Sequence, residues 1–187
     1  MKGRLKVSFY SYDIYFLKNQ IFLTILGVLL TTGCYAQNKY SEGISKAKGE
    51  QFQITYTGLD NDLIVISNVK NKYAKGGPVS DNPNALPFRR EDIHIDVPAA
   101  NAIIQQVLKP KNEKLHQNED FVNVLFRFER SGKLSDISFG LKPNTLISLE
   151  DIAEIDARLR GIISATYTGK AYKDHKTFMY SLGMIRF

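Results

Sequence analysis

Cysteine is nearly absent from this chain of 187 residues, and the single one, Cys34, lies close to the N-terminus. No disulfide framework is available to the residues after it, so a folded body there is held by packing alone. Histidine is scarce too: His94, His116 and His175 stand far apart. A zinc site asks for three or four convergent ligands. The nearest approach, His94 with Asp96, Glu91 and Asp92, reads as solvated charge around a short strand. No Gly-x-Ser-x-Gly occurs, which argues against a strained nucleophile turn. Gly76-Gly77 is not followed by Gly-Lys-Ser/Thr, so it is no phosphate loop. Glu150 and Asp151 open a helix, and Glu154 and Asp156 lie along its face. The expectation is a chain without catalytic residues, metal or cofactor.

Long hydrophobic runs are missing as well. Ile21 to Leu30 is uncharged and apolar but too short to span a bilayer as a stable helix. The net charge is +6, and Lys2, Arg4, Lys6 and Lys18 against Asp13 put three of those charges before residue 37, leaving +3 for the rest. A small, unclustered excess is no nucleic-acid footprint. Nucleic acid is therefore excluded as a partner.

What is present begins with the leader. Lys18 precedes the apolar run and small or polar residues follow, the order of a secretory signal peptide. Residues 1–36 are read as that signal. Val7 to Leu17 makes an unusually long lead-in, rich in Tyr and Phe; translation starting near Lys18 and a real amphipathic segment both account for it. Two exits compete. Cys34-Tyr-Ala36 is a small-x-small signature with cleavage before Gln37. Thr31-Thr-Gly-Cys34 resembles a bacterial lipobox, with Cys34 as the lipid anchor and Thr31 where Leu is usual. The chain is expected in the periplasm or secreted from a Gram-negative cell, and at a membrane only if Cys34 is lipidated.

Residues 37–50 are polar and read as a flexible tether. Residues 51–187 read as a single α+β domain. Phe52, Ile54 and Tyr56 alternate with polar residues as in a half-buried strand. Leu59 to Asp62 is a turn, because Asp and Asn accept left-handed geometry, and Leu63 to Ile66 is a more buried partner strand. Asn68 to Arg90 has no regular pattern, and Pro78, Pro83 and Pro87 break it. Tyr73 and Phe88 are its candidate contact rings. Ile93 to Val97 is a short strand, and Pro98 to Leu108 an amphipathic helix with Pro in its first turn. Lys111 to Glu119 reads as a charged loop. Phe121 to Glu129 alternates, turns at Ser131-Gly132, and returns as Leu134 to Gly140. Ser148 caps a helix whose expected buried stripe is Ile152, Ile155, Leu159 and Ile162. In the last strand Met179, Ser181, Gly183, Ile185 and Phe187 should share one face, with Phe178, Tyr180, Leu182 and Met184 opposite. Apolar residues on both faces suit a central strand, or an edge that expects a partner at Phe178 and Tyr180.

Pro98-Ala-Ala100 opening a helix, Val124 to Phe128, Gly132 to Ile137, a second helix and a strand ending in Ile185-Arg-Phe187 resemble the C-terminal domain of TonB. The resemblance covers about half the chain. It implies a periplasmic module that pairs with an extended peptide by strand addition. The expected architecture is an antiparallel sheet with two helices on one face and a closing β-β-α-β unit. The expected role is a noncatalytic envelope protein that binds an envelope protein or peptide; a structural or inhibitor-like secreted domain, and a hydrolase with an unrecognised site, are the alternatives.

Overall fold

Alternating side chains decide where the sheet turns its two faces. The computed structural model describes residues 40–74, 76, 80 and 88–187; the leader and Cys34 lie outside them. In chain order the strands and helices are β1 (Gly43–Ala47), β2 (Glu50–Thr57), β3 (Leu63–Asn68), β4 (Ile93–Ile95), α1 (Val97–Leu108), α2 (Asn112–Gln117), β5 (Phe121–Glu129), β6 (Leu134–Leu141), α3 (Leu149–Ile162), β7 (Ala165–Tyr167) and β8 (Thr177–Arg186). Six strands form one antiparallel sheet in the order β1-β2-β3-β6-β5-β8, and β4 pairs with β7 beside it. The fold is α+β, an antiparallel sheet with its main helices, α1 and α3, on one face. Among the described residues no helix is long and apolar enough to cross a membrane.

The inner face is a run of alternate residues: Phe52 and Ile54, Ile64 and Ile66, Ile137 and Phe139, Val124, Phe126 and Phe128 are all buried. Ile103, Ile104, Leu108, Ile152, Ile155 and Leu159 meet them from the helices. Burial of such side chains stabilises by about 1.5–3 kcal/mol each, which a domain without cross-links needs. β3 is more buried than β2, and it lies one strand further from the sheet edge formed by β1. Asp96 caps α1 by accepting from the Ala99 N–H at 2.8 Å. Ser148 caps α3, with Asp151 returning a bond to the Ser148 N–H at 2.7 Å.

Four expectations are corrected. The tether is not flexible from Gly43 on: β1 pairs with β2 through the two-residue turn Lys48-Gly49, whose φ values of 48° and 81° are those of a tight hairpin. Tyr40 is buried, its hydroxyl donating to the Ile147 carbonyl at 2.9 Å. The charged stretch after α1 contains the short helix α2, anchored by the fully buried Leu115. Ile162, at the end of α3, is 63% exposed, because the chain leaves the helix at Ile163.

The fourth concerns β8. Gly183 faces Val124 and Ser181 faces Leu125, so Leu182 is an extra residue in the ladder. Gly183 accepts this at φ 89°, the left-handed geometry that a bulge needs. One added residue exchanges the faces of all that follows. Phe178 and Tyr180 therefore share the inner face with Gly183 and Ile185, while Met179, Ser181 and Met184 share the outer one.

Candidate functional site

Among the described residues the helices leave the outer face of the sheet open, and a groove of about 680 Å³ crosses it. Its floor comes from alternate residues of five strands: Thr55, Val65 and Ser67, Ser138, Leu125 and Arg127, and Met179. The chain leaving β3 forms its wall with Val69, Asn71 and Tyr73. Ser67 and Ser138 are opposite each other on β3 and β6, their hydroxyls 2.8 Å apart. Among the described residues, hydroxyls, a thioether and aliphatic side chains thus surround one cation, Arg127, with the carboxylate of Asp136 across the ladder from it.

Arg127 points outward because its neighbours Phe126 and Phe128 point inward. Its guanidinium lies 5.5 Å from the centre of the Tyr73 ring, donates to the Tyr73 carbonyl at 3.5 Å and approaches Met179 Sδ at 3.8 Å. A guanidinium has five N–H donors, and these are long contacts for it. Asp136, directly across the ladder from Arg127, is 7% exposed and accepts from the Tyr73 N–H at 3.2 and 3.3 Å. Glu129 pairs with Lys72 at 2.8 Å, and that hydrogen bond raises the pKa of the Lys72 ammonium.

A buried polar clasp holds the wall. Arg160 on α3 donates to Asp156 at 2.9 Å, to the Ser135 carbonyl at 2.9 Å and to the Asn71 side chain. Asn71 donates in turn to the Ile137 carbonyl at 2.9 Å. Asn68, at the end of β3, reaches Asp156 at 3.4 Å. The second oxygen of Asp156 is buried without a hydrogen bond among the described residues. Helix, strand and turn are thus tied together behind Tyr73.

The candidate residues named from the sequence do not form one patch. Tyr73 is half-buried at the groove. Phe88 packs on the other side of the sheet, with ring centres 4.7 Å from Phe178, 5.9 Å from Tyr167 and 5.8 Å from His175. Phe178 is 3% exposed and has no surface to offer a partner; its burial follows from the register opposite Phe128. Tyr180 is half-buried beneath the Arg90 guanidinium, 4.8 Å from its ring centre. Arg90 also donates to the Ser181 carbonyl at 3.0 Å, covering the β8 edge just where the sequence suggested strand addition. His94 bonds Thr168 and His116 meets the Phe187 carbonyl, while Asp96 is the helix cap described above. Among the described residues no group of three metal-ligating side chains converges.

Arg127, Asp136, Ser138 and Met179 were not singled out from the sequence. The half-polar outer face of β5 was the available signal, but which strands flank it depends on pairings between residues far apart in the chain.

No family model and no curated protein matches this chain. Among solved structures it is similar to the crystal structure of a DUF5043 family protein from Bacteroides uniformis ATCC 8492, with a TM-score of 0.64 and 14% sequence identity over 80% of this chain and 87% of that one. At such identity the likeness carries the fold alone: an antiparallel sheet backed by helices, shared with a DUF5043 family protein.

Proposed function

We propose that this chain is an exported, noncatalytic envelope protein that holds a peptide or protein partner against the outer face of its sheet. The observation that carries the reading is the groove across β2, β3, β6, β5 and β8, with Tyr73 and Arg127 at its wall and floor. Among the described residues the lining mixes apolar and hydroxyl groups with the half-buried cation Arg127 and the buried carboxylate Asp136, which suits recognition of an extended chain. The apolar run Ile21 to Leu30 and the small residues after it support export, with Gln37 or an acylated Cys34 as the mature N-terminus.

Strand addition at β8 is the less supported route, since Arg90 covers the Ser181 carbonyl and a bulge at Leu182–Gly183 twists the remaining edge. The test is a pull-down from envelope extract with the full chain, Arg127→Glu, Tyr73→Ala and, as a control on α3, Ile162→Ser. The groove variants should lose partners that the control keeps. Identical partners with all four proteins would end the reading. Mass measurement of the mature N-terminus decides the export route, and recovery of the intact precursor inside the cell would end the export reading.

A further inference from the structure

We infer that the groove selects an acidic segment, an extended peptide that sets a side-chain carboxylate on the guanidinium of Arg127. The inference rests on the binding role proposed above and names the ligand chemistry. Arg127 is half-buried, and its polar contacts, a carbonyl at 3.5 Å and a thioether sulfur at 3.8 Å, are both long. The planar fork of a guanidinium matches a carboxylate through two parallel bonds. The carboxylates nearest in the ladder are already engaged. Asp136 lies beneath the Tyr73 backbone and accepts its N–H, and Glu129 holds Lys72. Among the described lining residues the charge open to a ligand is that of Arg127, since Asp136 is 7% exposed.

The surroundings favour a carboxylate carried on a peptide over a small anion. Val65, Leu125 and Met179 put apolar surface on the groove floor. There an ion pair is better shielded from water than on an open surface, and apolar neighbours of the acidic residue find contacts. Five strands at the usual spacing give the groove a span of about 19 Å, the length of roughly six residues in extended form. Thr55, Ser67 and Ser138 supply hydroxyls along that path, able to bond either backbone group. A phosphate-backbone ligand would need several cations, and among the described residues the floor offers one, Arg127.

The chain has three methionines, Met1, Met179 and Met184, so methyl-labelled methionine gives a sparse spectrum with one reporter on the groove floor. The full chain is titrated with a hexapeptide of alternating Val and Glu, blocked at both ends, and with its Val and Gln counterpart. The Glu peptide should shift the Met179 methyl and bind about tenfold more tightly than the Gln peptide, the effect of one charge-assisted hydrogen bond. Arg127→Gln should abolish that preference and Arg127→Lys should keep part of it, with unfolding midpoints confirming that both variants fold. Equal binding of the two peptides at Met179 would overturn the acidic selection and leave the groove as the binding site. Failure of both peptides to move Met179 would overturn the selection and the peptide-binding reading together. Displacement of the Glu peptide by inorganic phosphate at equal concentration would also overturn it, as the mark of a small-anion site.

Discussion

Arg127 and Asp136 stand directly opposite each other on β5 and β6, yet each turns to a different end of the same residue, Tyr73. The guanidinium donates to the Tyr73 carbonyl and the carboxylate accepts from the Tyr73 N–H. Removing the acceptor should loosen the groove wall. Asp136→Ala is expected to lower stability by about 1–3 kcal/mol, the range for stranding a buried donor, and Asp136→Asn by less because an acceptor remains. Urea unfolding measures the loss, and faster hydrogen exchange of the Tyr73 amide locates it.

The clasp on α3 leads to a second prediction. Arg160→Ala leaves the carboxylate of Asp156, 3% exposed, without its cation. Breaking a buried pair from one side costs about 3–5 kcal/mol. The double change Arg160→Met with Asp156→Leu should cost less than Arg160→Ala alone, since no buried charge is left behind. Denaturant midpoints of the variants decide the order.

Local patterns in the sequence reveal the elements and miss what lies between them. Alternation in Phe121–Glu129, the capping Ser148 and the Pro in the first turn of α1 act within a few residues, and each forms as expected. β1 was hidden because its hairpin turns on Lys48-Gly49 where Asn-Gly is the usual signal. α2 was hidden because six residues with one apolar anchor hold too little periodicity. The faces of β8 were misassigned by one glycine, since alternation is counted without knowing where the ladder adds a residue. The groove drew on the same blind spot, because Thr55, Ser138 and Met179 meet only through strand order.

Two glycines should respond with opposite signs. Gly183 sits at φ 89° with open space around a would-be Cβ, so the strain of Gly183→Ala is purely that of the backbone. It should cost about 1–2 kcal/mol. Gly161, in α3, also has open space and an ordinary helical backbone, so Gly161→Ala should stabilise by about 0.5–1 kcal/mol. Thermal unfolding of the two variants beside the parent chain gives both signs.

Asp151 makes stability depend on pH. Burial pushes its carboxyl up, but hydrogen bonding to Lys111 and to Ser148 outweighs this and holds it below the usual carboxylate range. A carboxyl that titrates lower in the folded chain favours folding when ionised. That contribution is complete above the unfolded value of about 3.9 and fades as pH falls through the folded one. Asp151→Asn should cost about 1 kcal/mol at neutral pH, as for loss of a helix cap. It should also flatten the fall of the unfolding midpoint below about pH 4.

The central claim, a partner held on the outer sheet face of an exported protein, is tested most directly by photo-crosslinking in living cells. A photoreactive phenylalanine replaces Met179 in one strain and Ile162 in another, positions 49% and 63% exposed on opposite sides of the domain. The account predicts a discrete crosslinked partner from position 179, lost when Arg127→Glu is added, and none from position 162. Crosslinks from position 162 alone, or the same product from both, would contradict it.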